Sequence, residues 1–147
     1  MEQRRAKTLV QEKSFRFAVN VVEYAHRHQK NYINPMLTSQ LLRSGTSIRA
    51  NIDDALRGQS RKDFIAKLVI AAKEALETGY WLRLIRETQP HNIQELDCLL
   101  TDCDVLKAML NSIISTNRST LATADSLTHL RTPNSESRTH NPESPVS

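Results

Sequence analysis

Glu23-Tyr-Ala-His26 is the only Glu-x-x-His spacing in this 147-residue chain. Di-metal carboxylate bundles need two such pairs plus two further inward glutamates. Three helical residues turn through about 300°, so Glu23 lies some 60° from His26. The expected reading is a surface glutamate beside a half-buried histidine. His26 and His28 diverge and cannot chelate together, and no His-Glu-x-x-His run occurs. Glu74 and Glu77, next to Lys73, could form an acid/base pair only in a pocket that splits their pKa values. Nothing around them implies one, so they are read as interhelical or intersubunit salt-bridge partners. Ser44, Ser47 and Ser60 lack a nucleophile elbow, and there is no glycine-rich phosphate loop. Cys98 and Cys103 are five residues apart, on different sides of a helix, with no Cys-x-x-Cys. A reducing, cytoplasmic location follows, without disulfide or zinc. These residues imply no catalytic centre, no metal and no cofactor.

The elements that carry them are helical. Gly and Pro are few, at 3 and 5. The first residues lack the apolar stretch of a signal peptide. No apolar run reaches the roughly 18 residues of a membrane span, so no membrane partner is expected. The first pattern covers about 8–30. Phe15, Ala18, Val19, Val22, Ala25 and His26 share one face, taken as the core stripe. Phe17, Val21, Tyr24 and His28 form a second stripe, taken as an outward face. Asn34-Pro35 opens the second helix, about 35–57, with Asn as cap and Pro in the first turn. Its core stripe is Leu37, Leu41, Gly45, Ile48, Ile52 and Ala55. Ser44–Ser47 weakens the helix locally, since Gly alone costs about 1 kcal/mol relative to Ala, so a neighbouring helix is expected close by.

Ser60 with Asp63 opens the third helix, about 61–88, as a capping box with a shorter acid. Phe64, Leu68, Ala71, Ala75, Thr78, Leu82 and Ile85 face the bundle. Ile70, Tyr80, Trp81 and Leu84 point elsewhere. That surplus implies self-association through Ile70, Tyr80, Trp81 and Leu84, with Phe17, Val21 and Tyr24 on the first helix. Pro90 marks a break, and the fourth helix, about 91–117, carries the seam Leu96, Leu99, Cys103, Leu106, Leu110 and Ile113. Short connections make successive helices antiparallel. The expected fold is all-α, an antiparallel up-down-up-down four-helix bundle over 1–117. In 118–147, Ser, Thr, Pro and Asn make up 16 of 30 residues. It is read as a largely disordered tail, with a short helical extension into Leu121–Leu130 left open.

Charge is uneven. Residues 1–90 hold 16 Lys+Arg against 9 Asp+Glu, and 91–117 hold 1 against 4. Arg43, Arg49, Arg57, Arg61, Lys62, Lys73 and Arg83 form the candidate nucleic-acid set, with RNA or DNA as the ligand. A solvated surface is the plainer reading of such charge.

Three blocks carry a family resemblance: LLRS-x-TSI-x-ANI at Leu41–Ile52, SRKDF at Ser60–Phe64, and KEA-x-ET-x-YWL at Lys73–Leu82. Together they resemble the four helix bundle family first met as the 23S rRNA intervening-sequence protein, over about residues 10–115. The resemblance implies a homo-oligomeric ring, with a pentamer favoured, and no catalytic residues. It also implies a likeness in fold to the accessory variability determinant of diversity-generating retroelements, a basic pentamer that partners a reverse transcriptase. The leading expectation is a non-enzymatic, oligomeric binding or scaffold module. The alternative is an accessory protein whose partner is a reverse transcriptase, and the third reading is a metal-dependent bundle enzyme. Arg49 departs from the resemblance, where a small residue is usual, and is expected to reach outward or alter the local contact.

Overall fold

The computed structural model describes residues 1–28, 34–89 and 92–131. Four helices follow one another: α1 (Glu2–Arg27), α2 (Pro35–Leu56), α3 (Arg61–Thr88) and α4 (Ile93–Arg131). There is no strand among the described residues. Each helix packs against the next and α4 returns to α1, while α1 faces α3, and α2 faces α4, across the diagonals. This is the antiparallel up-down-up-down bundle expected from the sequence. No helix among the described residues is long and apolar enough to cross a membrane.

The caps form as their residue types dictate. The Asn34 side chain accepts from the Met36 N–H at 2.9 Å, with Pro35 in the first turn. The Ser60 hydroxyl accepts from the Asp63 N–H at 3.1 Å. Each cap satisfies a donor that the first helical turn would otherwise leave unpaired.

The expected seams of α2, α3 and α4 are the core, with Leu37 packed at its margin. In α1 the two stripes exchange roles. Phe17, Val21 and Tyr24 are buried, whereas Phe15, Val22 and His26 are exposed and Ala18 and Val19 half-buried; of the expected core stripe Ala25 is buried. The buried side runs Val10, Ser14, Phe17, Val21, Tyr24, His28, an unbroken 4-3-4-3-4 spacing that stays on one face for the whole helix. The Phe15 stripe, from Phe15 to His26, is shorter. Ser14 keeps its place in the seam by donating back to the Gln11 carbonyl at 3.0 Å.

α1 begins at Glu2, six residues before the expected start. Its first turns hold good helix formers and lie along α4, where Glu2, Gln3, Ala6 and Lys7 share a cleft with Ser112, Ile113, Thr116 and Asn117. α4 in turn continues past 117, so residues 118–131 are helical where a disordered tail is the main expectation. The open alternative of a helical extension is what forms. The hydroxyls of Thr120, Thr123, Ser126 and Thr128 each donate to the carbonyl four residues back, at 2.9–3.0 Å. Leu121 is the last residue packed against the bundle, and Ala122–Arg131 are exposed. The tail from 132 onward, the Lys30 end of α1 and the Pro90 break lie outside the described residues.

The Gly45 backbone touches Val21 closely: a Cβ there would sit 3.1 Å from Val21 Cγ1. The expected close approach is therefore real, and its partner is α1.

Candidate functional site

Leu9, Met36, Leu56, Ile93 and Val105 stand exposed singly on the bundle, while other exposed apolar residues gather on two helix faces. On α1 these are Phe15, 57% exposed, and Val22, 46%. On α3 they are Leu76, 60%, Tyr80, 51%, and Ile70, 40%. Phe17, Val21 and Tyr24, expected at a subunit interface, are core residues and cannot serve there. The apolar residues that α1 leaves exposed on this face are instead Phe15 and Val22. On α3, Ile70 and Tyr80 stand outward as expected, but Trp81 and Leu84 are only half exposed. Leu76 is the residue that pattern reading leaves out; its place one turn before Tyr80 is the signal that could find it. The two faces lie on diagonally opposite helices.

Ion pairing sorts the candidate nucleic-acid residues. Arg43 donates to Glu74 at 3.2 Å and pairs with Glu77, joining α2 to α3. The Trp81 indole N–H donates to the same Glu77 oxygen at 3.1 Å. Glu74 and Glu77 are thus interhelical salt-bridge partners. Arg49 reaches outward across α1. Its Nε donates to Asp53 at 2.8 Å, its Nη1 to the Gln11 carbonyl at 2.8 Å, and its guanidinium lies 5.5 Å from the Phe15 ring centroid. Burial pushes the Asp53 carboxyl up. Hydrogen bonds from Arg49 and Gln11, with the charges of Arg49 and Arg57, outweigh that and hold it below its ordinary value. Arg43 and Arg49 are therefore structural cations. Lys73 lies in the exposed stripe of α3 between Val69 and Leu76, and Arg83 is exposed farther along the same helix.

Arg57, Arg61 and Lys62 belong to a different group. The antiparallel course brings the start of α1, the α2–α3 turn and the bundle-side part of α4 to one end. Lys7 Nζ lies 4.5 Å from the Phe64 ring centroid, and Glu2 and Asn117 line one cleft. Arg4, Arg5 and Lys7 arrive on α1. Arg57, Arg61, Lys62 and Lys67 surround the turn, and Arg118 stands on α4. Against these eight cations the same segments (1–10, 54–67, 110–118) hold three acids, Glu2, Asp54 and Asp63. None of the eight makes an ion pair among the described residues. At the opposite end the charges are matched. Arg27 pairs with Glu23 and Glu95, and Arg86 with Glu87 and Asp97. His28 meets Glu95 at 3.1 Å, and Asn92 donates to the same carboxylate at 2.9 Å.

Glu23 and His26 are both exposed. Among the described residues no three His, Cys, Asp or Glu side chains gather into a metal-binding group. Cys98 is exposed and Cys103 buried, both as free thiols. The Cys103 thiol donates to the Ala75 carbonyl at 3.1 Å, and burial pushes its pKa up to about 11.

No curated protein matches the chain. A solved structure does: that of a protein of unknown function from the S23 ribosomal protein family of Bacteroides thetaiotaomicron. It is 40% identical, with a TM-score of 0.71, over 75% of this chain and 98% of that one. The family model described as 23S rRNA-intervening sequence protein matches residues 6–112, ending before the α4 overhang. The fold, the three sequence blocks and these matches agree: the chain belongs to the 23S rRNA-intervening sequence protein family.

Proposed function

We propose that the protein is a non-enzymatic scaffold of the cytoplasm that assembles as a homo-oligomeric ring, in its favoured form a pentamer, and holds nucleic acid. The observation that carries this reading is the pair of exposed apolar faces on diagonally opposite helices. A twofold dimer joins one self-complementary patch to itself and would leave the other bare. A contact between two different patches of successive copies covers both, and closes when the rotation between copies closes. Apolar burial drives such contacts at roughly 25 cal/mol per Å² removed from water. The uncompensated cations at one bundle end support the nucleic-acid part, because phosphate contacts add with each Lys or Arg engaged. Two unpaired thiols suit a reducing compartment.

The test is the double variant L76E/Y80E. Both side chains are more than half exposed, so the fold loses little and helicity should stay at the wild-type level. The assembly should fall to monomers by light scattering. Unchanged assembly with helicity intact would overturn the proposed face.

A further inference from the structure

We infer that the basic end of the bundle, together with the α4 overhang rising beside it, is a binding site for the phosphodiester backbone of a polynucleotide. The inference rests on the nucleic-acid part of the proposed function and assigns it a place. Of the nine other cations among the described bundle residues, five are committed, while Lys13, Arg16, Lys73 and Arg83 make no ion pair. Arg27, Arg43, Arg49, Arg86 and Lys107 are held by carboxylates on their own or a neighbouring helix. The eight at this end make no such pair, and six of them are exposed. Five of the eight are arginines, whose planar fork matches phosphate oxygens bidentately. They come from the start of α1, the α2–α3 turn with the first turns of α3, and the part of α4 where it leaves the bundle, so they surround the cap of the bundle rather than mark one face of one helix.

The overhang decides between anionic partners. Beyond Leu121, the last side chain packed against the bundle, α4 continues for 10 residues, about 15 Å at 1.5 Å per residue. A flat lipid surface would strike this rod before reaching the cations around the cap. A polynucleotide can lie in the corner between cap and rod. The rod suits close approach of a backbone. It carries Ser119, Thr120, Thr123, Ser126 and Thr128 but a single carboxylate, Asp125, with Arg118 and Arg131 at its two ends. Thr120, Thr123, Ser126 and Thr128 donate their protons to their own helix, so the donors to phosphate at this site are the cations and not these hydroxyls.

The experiment measures fluorescence anisotropy of labelled single-stranded RNA, duplex RNA and duplex DNA against the full chain, from about 50 to about 200 mM salt. Three pairs of variants are compared: R61Q/K62Q and R4Q/R5Q at the basic end, and K73Q/R83Q on the side of α3. Assembly mass is checked for each. Each end pair should weaken binding by tenfold or more and flatten the salt slope by about 1.4 to 1.8, two phosphate contacts' worth. K73Q/R83Q should leave the slope unchanged. Equal losses from all three pairs, or a loss confined to K73Q/R83Q, would overturn the placement and leave the nucleic-acid reading standing. No binding of the wild type to any polynucleotide at low salt would sink both. Retention on phosphatidylserine vesicles without polynucleotide binding would assign the end to a membrane and overturn the inference.

Discussion

Arg43 of α2 and Glu77 of α3 form an ion pair across the helix interface, and the Glu77 oxygen that receives the guanidinium also accepts the Trp81 indole N–H. One carboxylate therefore fixes the register of two helices and the rotamer of a half-buried tryptophan. The pair is partly exposed, and such pairs contribute little each. R43A and E77A should each lower unfolding free energy by about 1 kcal/mol or less in urea titrations. A double-mutant cycle should give a coupling near 0.5 kcal/mol. Zero coupling would mean that the contact orders side chains without stabilising the bundle.

The exchange of stripes on α1 has a direct consequence. F17A removes a fully packed ring and should cost about 3–5 kcal/mol. F15A removes an exposed ring with the Arg49 guanidinium on its face, and should cost the fold about 1 kcal/mol or less. Chemical denaturation of the two variants under conditions that keep both monomeric compares them directly. A larger loss from F15A would restore the original assignment of faces.

Most of the bundle is legible in the sequence because α2, α3 and α4 each carry a single continuous seam, and because Asn34-Pro35 and Ser60 announce two helix starts by side-chain chemistry. α1 is ambiguous for a physical reason. Phe15 and Phe17 head stripes of similar hydrophobicity, and only the length of the second, from Val10 to His28, reveals which side the other helices cover. The overhang is obscured because hydroxyl side chains favour turns in general, yet here they bond back to their own helix. The basic end is invisible to a linear reading, since the start of α1 and the Thr116–Asn117 turn of α4 come together only when the chain has crossed the bundle four times. Arg43 and Arg49 look like part of a basic surface until the carboxylates that hold them are seen.

The two helix glycines should respond oppositely to alanine. At Gly79 a Cβ would meet Arg83 Nη1 at 3.4 Å and Cys103 Sγ at 3.8 Å, ordinary contacts. G79A should therefore stabilise by about 0.5–1 kcal/mol through helix propensity. At Gly45 the new methyl would press on the buried Val21 at 3.1 Å. Overpacking there should outweigh the propensity gain and leave G45A destabilised by about 1 kcal/mol. The pair G45A/V21A should be less damaged than the sum of its singles. Additive losses in thermal unfolding would place the strain elsewhere.

The two cysteines should separate by reactivity. A thiol reagent at neutral pH should label Cys98 in the native protein and Cys103 only after unfolding, because the Cys103 thiolate is disfavoured by burial. The folded pKa is raised to about 11 from an ordinary value of 9.0. The contribution of Cys103 is therefore fully present below about 9 and is lost as pH rises towards 11, where only the unfolded chain ionises. Burial raises the Tyr24 phenol in the same direction. Comparing wild type with C103V isolates the cysteine: its stability should fall less steeply between pH 9 and 11. Identical slopes would remove Cys103 from the alkaline transition.

The central claim is that the exposed faces of α1 and α3 belong to one assembly of identical subunits, and its most direct test is the absolute mass of the wild-type protein in solution. Multi-angle light scattering at micromolar concentration should return more than two copies of the 16.7 kDa chain, and about 84 kDa for five. A mass of 16.7 kDa that does not change with concentration would contradict the account.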